Sequence, residues 1–194
     1  MIAYIKVPVL ISLLAAFACL AADADSVVIG KVVGVAEGDV ITVRVDAREI
    51  QSPQLRKEIT QLRENVTPQL LKKVTVRLYG IDCPEKKQAF GQRAKKFTSD
   101  LVLEKKVKVV KRGGGRQGII IGEVLIDNNR SLNKELLKAG LAWWDEKNAK
   151  DNLELENLQD EARKAGIGLW SDTEPVAPWE FKPSPSLRTL VPFP

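Results

Sequence analysis

The sequence predicts an α+β domain built around a small closed β-barrel. Three observations carry this expectation. Five runs rich in Val, Ile and Thr, with alternating apolar positions, recur between Val27 and Ile126. Stretches with apolar residues at helical spacing lie between and after them. A five-stranded open sheet would leave unpaired edges, and closure into a barrel removes them.

Along the chain, Lys6 precedes an apolar run from Val7 to Ala22, and Ala22 and Ala24 form a small-residue end. This is the pattern of a signal peptide over residues 1–24, too short and poorly flanked for a membrane span. The mature protein is therefore expected to be secreted or periplasmic, with no stable membrane association. An uncleaved anchor is the alternative. Cys19, in a poor version of a lipoprotein box, makes lipidation the less favoured route.

The domain then runs over 25–172. Two strands between Ser26 and Asp46 are joined at Glu37-Gly38-Asp39, where the glycine marks a hairpin. Residues 47–73 read as a helical insertion between the second and third strands. Ser52-Pro53 is a helix start, and Leu55, Ile59, Leu62 and Val66 form one stripe. Thr67-Pro68 starts a second, short helix that carries Leu70 and Leu71.

Strand alternation returns over Val74–Ile81. Gln88 to Lys105 is a helix whose face is Phe90, Ala94, Phe97 and Leu101. A basic strand around Val107–Val109 leads to the flexible turn Arg112–Arg116, followed by a strand over Ile119–Ile126. Helices at Leu132–Ala139 and Leu153–Ala165 each end at a glycine, Gly140 and Gly166, suited to a left-handed cap. The tail over 173–194 is Pro-rich and is expected to lie extended on the surface.

Composition excludes much chemistry. The chain has 194 residues, no histidine and two cysteines. That removes Ser-His-Asp triads, Cys-His pairs and imidazole-based or all-thiolate zinc sites. Any catalysis must rest on carboxylates, Lys or Arg, hydroxyls, or a hard metal ion held by oxygen. After removal of the signal peptide Cys83 would be the only thiol, and a monomer without a disulfide is expected.

Acidic groups gather where strands end. Asp39 lies in the first hairpin, and Asp82 and Glu85 follow the third strand in Arg77-Leu78-Tyr79-Gly80-Ile81-Asp82-Cys83-Pro84-Glu85. Pro84 biases Cys83 towards an extended backbone that exposes its carbonyl. Three carboxylates and a carbonyl suit a hard cation such as Ca²⁺, and Arg77 could hold an anion beside it. The plain alternative is that these are turn residues.

The order of Glu37-Gly38-Asp39, the Arg77–Glu85 run, Ala89-Phe90-Gly91, Asn133, Gly140-Leu141-Ala142-Trp143, Ala162-Arg163 and Gly168-Leu169-Trp170 resembles the thermonuclease (staphylococcal nuclease-like) family. The likeness covers about Val27 to Asp172 and is interrupted by the insertion. It implies a five-stranded OB-type barrel with three packed helices, and Ca²⁺-dependent hydrolysis of DNA and/or RNA. It implies Asp39, Asp82 and the backbone carbonyl of Cys83 as metal ligands. Glu85 is then the carboxylate that orients or deprotonates water, and Arg77 the arginine that binds the phosphate.

The family's second arginine is missing from its place. The ungapped register, which we favour, puts Ile119 there; a shifted register brings Arg116, with Arg112 a further stand-in. Val40 replaces a threonine, and Asp145 and Glu146 stand where the family often has a tyrosine. Stacking on Trp144 could substitute, and Lys108, Lys111 and Arg112 could follow a phosphate backbone. The first reading is thus a secreted nuclease. The alternative is a catalytically weak OB-fold module that binds nucleic acid or a protein, with the 47–73 insertion as a possible protein-binding face.

Overall fold

The computed structural model describes residues 27–46, 71–114 and 119–182. The expected signal peptide, Cys19, the expected helices of the 47–73 insertion, Arg116 and the end of the tail lie outside the described residues.

Five long strands form the barrel: β1 (Val27–Glu37), β2 (Val40–Asp46), β3 (Leu71–Leu78), β5 (Lys106–Gly114) and β6 (Ile119–Ile126). Their order is β3-β2-β1-β5-β6, and β3 pairs in parallel with β6 to close the ring. All other barrel pairings are antiparallel. The predicted α+β, OB-type barrel is therefore the fold.

Alternation explains the interior. Val28, Val32, Ile41, Val43, Val45, Val76, Val109 and Val124 are fully buried, while the intervening residues face outward. Burying such side chains stabilises by about 1.5–3 kcal/mol each. Three helices cover the barrel: α1 (Gly91–Val102), α2 (Leu132–Lys138) and α4 (Leu153–Lys164), with the one-turn α3 (Glu146–Ala149) between the last two. Gly140 and Gly166 have φ of 60° and 62°, the left-handed conformation expected just past α2 and α4.

The short β4 (Ile81–Asp82) and β8 (Trp143–Trp144) pair beside the barrel, while β7 (Arg130–Ser131) turns back to pair antiparallel with the end of β6. Asn133 is buried at the junction. Its side chain donates to the Tyr79 carbonyl (2.9 Å) and accepts from the Val124 N–H (3.1 Å), which ties α2 to the end of β3.

Several boundaries differ from the sequence expectation. β3 begins at Leu71, because Leu71, Lys72 and Lys73 pair with Asp46, Val45 and Arg44, so the last residues of the expected insertion are strand. It ends at Leu78 rather than Ile81, since Gly80 has φ 73° and breaks the run into β3 and β4. Gly113 and Gly114 belong to β5 rather than a free turn; they pair with Ile121 and Ile120 beyond a bulge at Arg112.

Helix α1 starts at Gly91, and its fully buried positions are Ala94, Thr98 and Val102, with Phe90, Phe97 and Leu101 only partly covered. The tail departs from a surface path: Ala177 and Pro178 are buried. Among the described residues no helix is long and apolar enough to cross a membrane.

Candidate active site

At one end of the barrel the β1–β2 turn meets the end of β3. Val40 is the ladder partner of Arg77, so Asp39 in the turn lies beside that arginine although 38 positions separate them in sequence. The turn is pinned from three sides. Leu78 N–H donates to the Asp39 carbonyl (2.9 Å), and the Thr98 hydroxyl of α1 donates to the Gly38 carbonyl (2.6 Å). A Cβ on Gly38 would lie 2.7 Å from Cys83 Sγ and 2.8 Å from Ala94 Cβ, so only glycine lets the turn seat here.

Arg77 stands between two carboxylates. Its Nη2 donates to Asp82 Oδ1 at 2.8 Å, and its Nε lies 3.4 Å from Asp39 Oδ2. The second distance suits charge attraction but not a hydrogen bond, and Asp39 Oδ2 is buried without a hydrogen-bond partner. Asp39 is 1% exposed, whereas half of the Arg77 side chain faces solvent.

Burial pushes the Asp39 carboxyl from 3.8 to about 7, against the pull of Arg77 and with the push of Asp82. Burial likewise raises Asp82, although Arg77 lowers it. For Arg77 burial works against the charge, but Asp39 and Asp82 outweigh it and hold the guanidinium more firmly protonated than usual. Two further acids, Glu37 and Asp145, add negative potential at Asp82. Sequence reasoning had Glu37 only as part of a turn motif and Asp145 only as a missing tyrosine.

Cys83 is buried as a free thiol, pushed well above its ordinary range by burial, so its side chain is inert packing. Among the described residues no three His, Cys, Asp or Glu side chains gather as a metal-holding group. The side chains gathered here are two carboxylates, those of Asp39 and Asp82. A buried, partnerless carboxylate oxygen beside a second carboxylate fits a hard cation, which takes oxygen ligands.

Glu85 is exposed at the loop after β4. Its backbone is held by Gln88, whose side-chain Oε1 accepts from the Glu85 N–H (3.1 Å) and whose N–H donates to the Glu85 carbonyl (2.8 Å). A Cβ on Gly91 would fall 1.9 Å from that carbonyl oxygen, so the start of α1 can approach only as glycine. Gln88 and Thr98 were read from sequence only as helix positions. The Thr98 hydroxyl and the Gln88 Nε2 donate to distant backbone carbonyls, those of Gly38 and Val176, which no local pattern signals.

The other expected residues are more dispersed. Lys108 is exposed on β5 opposite Ile29 and Leu125; Lys111 is half-buried opposite Gly122. Arg112 pairs with Glu123 at 3.2 Å. Trp144 is half-buried against the core, its indole N–H donating to the Ala149 carbonyl (3.1 Å) and its backbone N–H to Gln159 Oε1 (2.8 Å). Trp143, opposite Asp82 in the β4–β8 ladder, packs edge-on against Trp170 at 4.5 Å. Ile119 is the first residue of β6, opposite Thr75 and 36% exposed; Ile121 is the parallel neighbour of Arg77.

A family model described as "Staphylococcal nuclease homologue" matches residues 75–172. That range takes in Arg77, Asp82 and Glu85 but stops short of Asp39, which only the β2–β3 ladder brings to them. An "Uncharacterized endonuclease" of Haemophilus influenzae is 39% identical over 111 residues, covering 57% of this chain and 61% of that protein. "Protein ParB" of Escherichia coli is 32% identical over 141 residues, 66% of this chain and 80% of that one. "Micrococcal nuclease" of Shigella flexneri is 28% identical over 162 residues, 79% of each chain. The chain thus spans about three fifths of the length of the Haemophilus relative.

Proposed function

The chain belongs to the staphylococcal nuclease homologue family, and on that premise we propose that it is a nuclease hydrolysing phosphodiester bonds of DNA and/or RNA with a bound Ca²⁺. The observation that carries the proposal is Arg77 held between Asp39 and Asp82 at the barrel end that also bears Glu85. Asp39, Asp82 and the Cys83 carbonyl would hold the ion. When bound, it would supply Lewis-acid neutralisation of charge on the phosphoryl oxygens.

The chain's own groups then have separate tasks. The exposed part of the Arg77 guanidinium offers N–H donors to a phosphate and neutralises charge that grows in the transition state. Its fixed protonation suits this role. Glu85, with its backbone held and its carboxylate in solvent, orients a water molecule and accepts its proton as the water oxygen bonds to phosphorus. The bond from phosphorus to the leaving oxygen breaks, and that oxygen takes up a proton. Lys108, Lys111 and Arg112 are assigned to the nucleic-acid backbone and Trp144 to a base, while Arg116 remains the stand-in for the second arginine.

A second reading is favoured by one observation: Ile119, apolar and partly exposed, opens β6 where the family pattern has an arginine. Losing one such donor costs about 10²–10³ in rate, which would leave a weak enzyme or an OB-fold module that binds nucleic acid or a protein. The 47–73 insertion remains a candidate protein-binding face. The Lys6–Ala24 leader pattern supports export to a secreted or periplasmic location, which fractionation of tagged protein would test, and a monomer is proposed.

The deciding experiment is hydrolysis of denatured DNA with Ca²⁺ and with a chelator, for the parent, Glu85→Gln and Ile119→Arg. Calcium-dependent cleavage lost in Glu85→Gln supports the nuclease. A silent parent with activity gained in Ile119→Arg supports a scaffold disabled at that position. Silence in all three folded proteins overturns the nuclease in favour of the binding module.

A further inference from the structure

We propose that Gln88 is a positioning residue for Glu85, and that the segment 172–182 is a strap that locks Gln88 in place. The proposal rests on the nuclease reading for its catalytic meaning, but its geometry stands apart from it. Gln88 is 8% exposed, and both ends of its side-chain amide are engaged. Oε1 accepts the Glu85 N–H at 3.1 Å, while Nε2 donates to the Val176 carbonyl at 2.6 Å, 88 positions away. One planar group therefore joins the backbone of the candidate water-orienting carboxylate to the strap. Only a primary amide supplies an acceptor and a donor in that arrangement.

The strap has its own seat. Ala177 is 3% exposed, Pro178 is buried, and Trp179 packs edge-on against Trp143 at 5.8 Å. Trp143 is in turn the ladder partner of Asp82. The strap thus reaches Glu85 through Gln88 and Asp82 through Trp143.

Between Pro84, Gln88 and Phe90 on one side and Pro175, Val176 and Phe181 on the other lies a cavity of about 140 Å³. The Gln88 N–H also holds the Glu85 carbonyl at 2.8 Å; the two side-chain amide hydrogen bonds add the grip on the Glu85 N–H and the link to the strap. Losing them would free the Glu85 loop to shift, and a displacement of about 1 Å can cost on the order of 10² in rate.

The test uses the full chain with Gln88→Met, which keeps length and removes both hydrogen bonds, and Ala177→Asp, which unseats the strap and leaves Gln88 intact. Two readouts are taken: amide hydrogen exchange at Glu85, and kcat and KM on denatured DNA with Ca²⁺. Both variants should speed exchange at Glu85 and lower kcat by about 10- to 100-fold with KM within about twofold. In a Glu85→Gln background, Gln88→Met should cost no more than about twofold, because it acts only through that carboxylate.

Equal losses in both backgrounds, or unchanged exchange at Glu85, would overturn the proposal. A parent that cleaves nothing would sink the nuclease reading instead, and the exchange measurement would then decide the strap by itself. Should Gln88→Met fail to fold, Ala177→Asp carries both readouts.

Discussion

Replacing Asp39 by asparagine should stabilise the metal-free protein at pH 8 and leave it almost unchanged at pH 4. In the folded chain burial pushes this carboxyl from 3.8 to about 7. The folded pKa is above the unfolded one, so the folded state keeps the proton between these values while the unfolded chain gives it up. Stability is therefore intact below pH 3.8, falls as pH rises towards 7, and stays low above it. At about 1.4 kcal/mol for each pH unit in that window, the loss comes to about 4 kcal/mol. Asparagine has the same shape and no charge to desolvate.

Urea unfolding in chelator at pH 4, 5 and 8 reads the effect. The advantage of Asp39→Asn over the parent should be under about 1 kcal/mol at pH 4, about 2 at pH 5 and about 4 at pH 8. A constant offset between the two proteins drops out, since only the change with pH is compared. Calcium added at pH 8 should recover stability in the parent alone, by about 2.7 kcal/mol at a concentration 100 times its Kd. A gap that is flat across pH, or reversed at pH 8, would refute the reasoning. It would mean that attraction to Arg77 outweighs the desolvation of the buried carboxylate.

Three other outcomes follow from the same geometry. Glu85→Gln should lose about 10²–10⁴ of the DNA hydrolysis rate while its unfolding midpoint stays put, because the side chain is exposed. Arg77→Lys replaces the planar fork, whose Nε faces Asp39 and whose Nη2 bonds Asp82, with a point charge that has no bidentate grip on phosphate, so activity should fall at least tenfold (order of magnitude), measured as kcat on denatured DNA. Thr98→Val removes the donor to the buried Gly38 carbonyl. Denaturant titration should show a loss of about 1–3 kcal/mol, together with weaker calcium binding as the Asp39 turn loosens.

Legibility in the sequence divides along the range of the interactions. The third strand with Arg77, Asp82, Pro84 and Glu85 could be read because its signal is local: alternation, a proline and acids at a strand end. The caps at Gly140 and Gly166 could be read for the same reason, since a left-handed residue after a helix depends on its own backbone. Strand limits were less legible. β3 reaches back to Leu71 because β2 offers partners there, and Gly113 and Gly114 are strand because β6 lies alongside. Neither partner is apparent from the segment itself.

The sequence by itself determined which chemistry was open: with no histidine and two cysteines, carboxylates, Lys or Arg, hydroxyls and a metal ion held by oxygen remained. It also determined that the acids sit at strand ends. Only the tertiary structure decided that Asp39 lies beside Arg77, that Thr98 holds the turn from 60 positions away, and that Gln88 joins Glu85 to Val176 across 88. The physical reason is that a buried polar side chain bonded to a distant backbone carbonyl has the same local pattern as one turned to water. Barrel closure and helix docking choose between the two, and those choices depend on every strand at once.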